Sequence, residues 1–260
     1  MDYWQNGYKG KKATLQSRNS LIGNFTEKWT TDLFQTLVED KGLYAIQGAV
    51  CDEIGLTNRS PADVVISKKK DVILDPKDIV LIIEVKMSIV WNWELKINGK
   101  EELIPIGDYT THQGNPGLLR SDSMLKAIGK SINIRVSSFK AANIPIVIIG
   151  NTPVTDYYYS KVDHLKKAGI IQGFWSLNPN PMDGLDLLKQ TDNQGFYRFD
   201  ELSELKRHVD ILLDEDLNFF SSMKTKDELG QIIEIADKEK TYEKKAEIFL
   251  KLLRNDVNGE

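Results

Sequence analysis

The sequence contains few of the residues that build disulfides, thiolate metal sites or histidine metal sites. Cys51 is the single cysteine among 260 residues, which excludes an internal disulfide and a zinc site with several cysteines. The three histidines, at positions 112, 164 and 208, lack the spacing of zinc ligands. No apolar run approaches the roughly 20 residues of a membrane span, and the first residues lack the apolar core of a signal peptide. These absences predict a cytoplasmic protein with no membrane segment.

A strong positive charge, which favours nucleic-acid partners, is also absent, since the net charge is −4. The charge is unevenly distributed, however. Residues 1–182 carry 22 Lys and Arg against 19 Asp and Glu, whereas residues 183–260 carry 12 against 19. Nucleic-acid binding needs a local positive surface rather than a positive total, so the first part of the chain permits it. The sequence Asn-Pro-Asn-Pro at residues 178–181 marks the best boundary between the two parts.

Hydrophobic residues at helical spacing predict several helices. The first is capped by Asn24 or Thr26, runs to about Glu39, and buries four residues, namely Phe25, Trp29, Leu33 and Leu37. Glu27 would lie in its first turn, where a carboxylate interacts favourably with the helix dipole. The second runs from Ser121 to about Lys140 and buries Met124 or Leu125, Ile128, Ile132 and Val136. Three more are expected over residues 156–167, 201–220 and 226–253.

Apolar segments between these helices predict a mixed sheet. Residues 43–50, 62–66 and 79–89 form an antiparallel meander, and residues 91–106 form a hairpin around Asn98-Gly99. The continuous apolar run at residues 144–149 is typical of a buried parallel strand, and a short strand is expected near residues 170–177. We therefore predict an α/β fold with a mixed β-sheet flanked by helices in residues 1–182. Residues 183–260 would form a C-terminal helical subdomain, packed on the core or at a dimer interface.

Glu84 and Lys86 interrupt the apolar run of the third strand with two opposite charges. Because side chains alternate along a strand, both point to one face while Val85 points to the other. Asp63 stands at the start of the neighbouring strand, and the connection at residues 67–77 brings it beside Glu84. Two carboxylates that close repel unless a cation lies between them, and Mg²⁺ suits such oxygen ligands, with the Val85 carbonyl as a third. Lys86 is then placed to orient or deprotonate water for attack on a phosphodiester.

The order Pro61-Ala62-Asp63, a spacer and Glu84-Val85-Lys86 resembles the signature of PD-(D/E)XK nucleases, and more narrowly of type II restriction endonucleases. Ala62, which separates Pro61 from Asp63, departs from that signature. The resemblance covers residues 20–151 and implies a restriction-endonuclease-like core. It also implies Mg²⁺-dependent, site-specific cleavage of double-stranded DNA to 5′-phosphate and 3′-hydroxyl ends. Glu27 stands where members of the family often add an acid near the metal.

A restriction enzyme further implies a homodimer on a palindromic site and a cognate DNA methyltransferase that protects the host. Two other tasks stay open, namely a structure-specific nuclease of DNA repair or recombination and a catalytically dead DNA-binding module of the same fold. A purely structural alternative is a Glu84–Lys86 ion pair at a strand end, with Asp63 in a turn. Other chemistries lack support. There is no GxSxG motif, and the apparent phosphate loop at residues 127–131 has Met124 where glycine is required.

Seven polar residues beyond the hairpin are candidates for contacts with DNA. Residues 107–120 form a long polar loop, which is typical of binding loops. Asn and Gln pair with adenine and Arg pairs with guanine in the major groove, and in related nucleases a polar residue of the second helix approaches the scissile phosphate. The candidates are His112, Gln113, Asn115 and Arg120 in the loop, and Ser123, Lys126 and Lys130 on the helix. An ordinary polar loop and a solvated helix face are the competing interpretations.

Overall fold

A mixed β-sheet with helices on both faces is the central element of the fold. The computed structural model describes residues 9, 15–97, 99–111, 114–177, 187–214 and 226–255. Its helices are α1 (Leu15–Val38), α2 (Ser121–Ser137), α3 (Asp156–Lys167), α4 (Leu202–Asp214), α5 (Lys226–Ala236) and α6 (Tyr242–Asn255). Its strands are β1 (Tyr44–Gln47), β2 (Val64–Ser67), β3 (Ile79–Lys86), β4 (Trp91–Ile97), β5 (Glu101–Asp108), β6 (Ile146–Gly150), β7 (Gly173–Ser176) and β8 (Phe196–Arg198). Among these described helices, none combines the length and apolar character that a membrane crossing requires.

The main sheet is half antiparallel and half parallel. Its strands pair in the order β1-β2-β3-β6-β7-β8. The first three are antiparallel, which confirms the predicted meander, and β6, β7 and β8 continue in parallel beside β3. β4 and β5 form a separate hairpin, as predicted. The α/β class with a mixed, helix-flanked sheet is therefore confirmed. The sequence pattern does not predict β8, and a restriction-endonuclease-like identity of the core stays a prediction.

The two faces of the sheet pack into separate apolar layers. Ile83 of β3 belongs to a buried cluster that includes residues of α1 and α4. Its neighbour Ile82 belongs to another, which includes Ile134 of α2. Because strand residues alternate between faces, Glu84 and Lys86 lie on the same face as Ile82. The charges at the end of β3 therefore point toward the side of the sheet that α2 covers.

The start of α1 differs from the prediction. The helix begins at Leu15, so neither Asn24 nor Thr26 caps it. The Thr26 hydroxyl instead donates a hydrogen bond to the Ile22 carbonyl inside the helix, at 2.8 Å. Glu27 consequently lies in mid-helix, and its predicted interaction with a first-turn dipole is wrong. No proline occurs in residues 15–26, so the helix has no steric reason to start later.

Both α1 and α2 bury faces that differ from the predicted ones. Phe25 and Trp29 of α1 are 69% and 44% exposed, and the predicted face of α2 is exposed at Leu125, Ile132 and Val136. The buried side chains are Thr30, Phe34, Leu37 and Val38 in α1, and Met124, Ala127, Ser131 and Ile134 in α2. Leu37 and Met124 were predicted to be buried, and the predicted Leu33 and Ile128 are partly buried against the core. Small residues on the buried face of α2 let the helix approach the sheet closely, which brings its polar neighbours to the strand ends.

The chain divides into two compact units, Met1–Phe219 and Phe220–Glu260. The predicted boundary between residues 182 and 183 lies outside the described residues. β8 and α4, which follow that boundary, belong to the first unit, where β8 pairs with β7. In the second unit, α5 and α6 pack against each other and replace the single helix predicted for residues 226–253.

Candidate active site

The register of the sheet places two carboxylates side by side. Val64 of β2 pairs with Ile83 of β3 in an antiparallel register, so Asp63 and Glu84, one step further, are neighbours. The backbone N–H of Val85 donates a hydrogen bond to Asp63 Oδ2 at 2.8 Å, which fixes the aspartate against the end of β3. Backbone pairing and one hydrogen bond thus hold the two acids together.

Two ammonium groups lie between these carboxylates. Lys86 Nζ is 2.6 Å from Glu84 Oε1, 3.4 Å from Asp63 Oδ2 and 2.9 Å from the Val85 carbonyl oxygen. Lys130 Nζ, which arrives from α2, is 3.0 Å from Asp63 Oδ1 and 2.6 Å from Glu84 Oε2. We refer to Asp63, Glu84, Lys86 and Lys130 as the carboxylate–lysine cluster. It carries two negative and two positive charges on side chains that are at most 18% exposed.

The pKa values of the two carboxyl groups are shifted in opposite directions. Burial raises the pKa of Asp63, but attraction to Lys86 and Lys130 and hydrogen bonding outweigh it, so this pKa lies below its ordinary value. Burial and the negative charge of Asp63 hold the pKa of Glu84 above its ordinary value, despite both lysines. Asp63 is therefore firmly ionised, whereas the neighbouring Glu84 takes up a proton more readily. Such a contrast between neighbouring acids is common at functional sites.

The charge state of Lys130 follows from the same contacts. Burial lowers the pKa of Lys130, but attraction to Glu84 and Asp63 outweighs it and raises this pKa above 10.5. Lys130 is therefore a cation at neutral pH. The sequence suggested Lys130 only as one of several DNA contacts, because it cannot show which face of α2 meets the sheet.

Glu27 lies close enough to the cluster to respond to its charge. Burial raises the pKa of Glu27, and the negative charge of Asp63 raises it further. Its carboxylate accepts a hydrogen bond from Gln47 Nε2 at 3.3 Å, at the end of β1. Gln47 is a site neighbour that the sequence does not identify, since a lone polar residue at a strand end carries no recognisable signal.

The cluster offers the oxygen ligands that a divalent cation requires. Asp63, Glu84 and the Val85 carbonyl already converge on one cation, the Lys86 ammonium. Hard oxygen ligands of this kind suit Mg²⁺, which usually keeps several of its waters. Within the described ranges, no group of three His, Cys, Asp or Glu side chains could hold a metal ion. A cation here would therefore depend on two carboxylates, a backbone carbonyl and water.

The last part of the polar loop packs at the edge of this site. A Cβ atom on Gly117 would lie 3.1 Å from the Lys86 carbonyl oxygen and 2.8 Å from Thr152 Oγ1. The Thr152 hydroxyl accepts a hydrogen bond from the Leu118 N–H at 2.8 Å. The side chain of Asn151 makes two hydrogen bonds with the backbone of Ser88. These contacts tie the loop and the carboxyl ends of β3 and β6 into one edge, where ligands commonly bind in such sheets.

Four of the other six candidates for DNA contacts lie in the part of the chain that the structure describes. His112 and Gln113 lie outside the described residues, Asn115 is exposed, and Ser123 is partly buried. Arg120 and Lys126 are exposed, and Asp122 pairs with both, at 3.5 and 3.0 Å. Among the candidates that the structure describes, Lys130 alone joins the cluster.

An apolar groove lies next to the site, and it begins where β3 ends. Its volume is about 600 Å³, and Phe25, Trp29, Met87 and Trp91 are among the lining residues. Met87 directly follows Lys86, so the groove and the carboxylate–lysine cluster are neighbours along the chain.

Comparisons of this chain with models of protein families, with curated proteins and with solved structures give no significant match.

Proposed function

We propose that this chain is a Mg²⁺-dependent, site-specific endonuclease that hydrolyses double-stranded DNA, of the type II restriction class. The observation that carries the proposal lies at the end of β3. There Asp63, Glu84 and the Val85 carbonyl all direct an oxygen atom at one cation, the Lys86 ammonium. A simple strand-end ion pair between Glu84 and Lys86 would need neither Asp63 nor Lys130. The resemblance of residues 61–63 and 84–86 to the PD-(D/E)XK signature supports the same function.

Each residue of the site has a defined task in this proposal. Asp63, Glu84 and the Val85 carbonyl hold the metal ion, which when bound polarises the phosphate and lowers the pKa of water. The Lys86 ammonium orients the attacking water. It takes up the proton of that water only after it has released one of its own protons to solvent. Glu27, whose carboxylate accepts a hydrogen bond from Gln47, assists a ligand of the metal. Attack on phosphorus breaks the bond to the 3′ oxygen, which leaves 5′-phosphate and 3′-hydroxyl ends.

Digestion of long unmethylated DNA with Mg²⁺ tests the proposal. We expect the unaltered protein to give discrete fragments, and Lys86→Ala and Asp63→Ala to cut at least about 100-fold more slowly. Lys69→Ala is the matched control, because Lys69 is exposed and pairs with Asp78 at the opposite end of β3. Intact cleavage by both site variants would refute the assigned roles, provided that circular dichroism shows all variants folded.

The products also separate the proposed task from its alternatives. Fragment ends at one palindromic sequence support a restriction enzyme, which would act as a homodimer beside a cognate methyltransferase. Cutting confined to flaps, forks or ends would favour a repair or recombination nuclease. Binding of DNA without any cleavage in Mg²⁺ or Mn²⁺ would identify a catalytically dead DNA-binding module.

A further inference from the structure

The carboxylate–lysine cluster is electrically balanced without a metal ion. Asp63 and Glu84 supply two negative charges, and Lys86 and Lys130 supply two positive charges. All four carboxylate oxygens have an ammonium group within 3.4 Å. A divalent cation that approaches this cluster meets a neutral group of side chains, and both of its carboxylates already have a cationic partner.

Lys130 is not needed to hold either carboxylate in place. Asp63 keeps its hydrogen bond from the Val85 N–H, and Glu84 keeps its contact with Lys86 on the same strand. Lys130 comes from a separate element, α2, through a long and flexible stem. Its side chain is 18% exposed, so it has a path to solvent. Of the two lysines, Lys130 can therefore leave the cluster with the smaller disturbance to the site.

We propose that the Lys130 ammonium competes with the divalent cation for Asp63 and Glu84 and so keeps the metal-free site closed. The cation binds when Lys130 leaves both carboxylates and the Lys86 ammonium moves from the point where Asp63, Glu84 and the Val85 carbonyl converge to the side of the attacking water. The freed Lys130 ammonium is then available for a phosphate group of the substrate. This inference rests on the divalent-cation site of the proposed function. It assigns Lys130 to the control of metal binding, a task that the sequence signature does not include.

Direct measurement of Mn²⁺ binding tests this inference without DNA and without activity. Isothermal titration of the full chain with Mn²⁺ is compared between the unaltered protein and Lys130→Met. Because the variant leaves one uncompensated negative charge, we expect its Kd for Mn²⁺ to fall at least about tenfold. Lys130→Arg retains the positive charge and should keep a Kd close to that of the unaltered protein. Lys126→Met, one turn away on an exposed side chain, should leave the Kd unchanged.

The result for Lys130→Met decides between competition and a purely structural ion pair. An unchanged or weaker affinity for Mn²⁺ in a folded Lys130→Met protein would overturn the inference. If this variant does not fold, Lys130→Gln takes its place, since the amide still hydrogen-bonds a carboxylate but carries no charge. The same gain in affinity is expected for it.

Parallel cleavage assays separate this inference from the proposed function. Tighter Mn²⁺ binding by Lys130→Met together with no cleavage by any protein would support the inference and refute the nuclease. Cleavage by the unaltered protein without tighter binding by the variant would refute the inference alone. Absence of Mn²⁺ binding in every variant and in the unaltered protein would refute both.

Discussion

At the scale of single residues, Lys130 links the site to the stability of the fold. Its pKa is raised above the ordinary value of 10.5, because the attraction of Glu84 and Asp63 outweighs the effect of burial. A raised pKa means that the stabilising contribution is fully present below pH 10.5 and is lost as the pH rises through the folded-state value. Lys130→Met should therefore be less stable by about 3 kcal/mol near pH 8.

Urea denaturation between pH 8 and pH 11.5 measures this effect. The free energy of unfolding of the unaltered protein should approach that of Lys130→Met as the pH rises, since the contribution of the ammonium disappears. Because all other lysines are common to both proteins, the difference between the curves reports Lys130 alone. A difference that stays constant over the whole range would show that packing of the lysine stem, rather than its charge, stabilises the fold.

The same residues show how far the sequence determines the site. Asp63, Glu84 and Lys86 can be placed together from strand periodicity, because alternation and hairpin pairing are local properties of the chain. Lys130 lies far away in sequence, and its place depends on which face of α2 meets the sheet. That face is chosen by the fit of Ala127 and Ser131 against the strands, which no spacing rule describes.

At the scale of elements, Arg135 connects α2 to the strands that follow it. Its guanidinium donates hydrogen bonds to the carbonyls of Ala141, Ile144 and Ile170 and to Gln172 Oε1. Burial lowers the pKa of Arg135 to about 10, so the group still carries its charge at neutral pH. Since three carbonyl groups would lose a donor, we expect Arg135→Met to destabilise the first unit by about 3 kcal/mol.

Thermal and urea unfolding of two further variants tests whether the loss of stability in Arg135→Met comes from these hydrogen bonds. Arg135→Lys keeps a charge but reaches fewer acceptors, so its loss of stability should be intermediate. Arg120→Met alters an exposed arginine of the same region and should change stability by less than about 0.5 kcal/mol. Equal stabilities for Arg135→Met and Arg120→Met would mean that the carbonyl groups find other partners.

The loop beside the site depends on the backbone of Gly117. This residue has a φ of +54°, and an added Cβ would press on the Lys86 carbonyl and the Thr152 hydroxyl. Gly99 in the hairpin has a φ of +78° and open space around it, so Gly99→Ala measures the conformational strain alone, about 1 kcal/mol. We expect Gly117→Ala to cost about 2 kcal/mol in urea unfolding and to slow DNA cleavage. Equal losses in the two variants would mean that the close approach of the loop to β3 is unimportant.

Helix faces and helix ends are where the sequence predicts least. Phe25 and Trp29 have the spacing of a buried stripe, yet they are exposed and line the groove beside the site. Aromatic residues have the same sequence spacing on a helix whether they pack against the core or line a surface groove. The spacing therefore does not show which surface the helix face contacts. By contrast, α3 has the predicted bounds of residues 156–167. Asp156 lies in its first turn, Lys166 and Lys167 lie in its last turn, and Gly169 follows with a φ of +70°.

At the scale of the whole molecule, the hairpin of β4 and β5 leaves an apolar surface open. Trp93, Leu95 and Ile97 project from one side of β4 and are 51%, 50% and 71% exposed, and Leu103 on β5 is 64% exposed. A two-stranded hairpin is marginally stable without a covered face.

The rest of the first unit has its own core, formed by the sheet together with α1, α2, α3 and α4.

That core predicts that residues 1–219 fold without residues 220–260. All six strands of the main sheet and the four members of the carboxylate–lysine cluster lie in the first unit. The described helices of the second unit have 11 and 14 residues, too short to be stable helices in isolation. A chain of residues 1–219 should therefore unfold in one cooperative urea transition and bind Mn²⁺ as the full chain does. A fragment of residues 220–260 should show little helical circular dichroism. Loss of cooperative unfolding in residues 1–219 would mean that the second unit is required for the fold of the first.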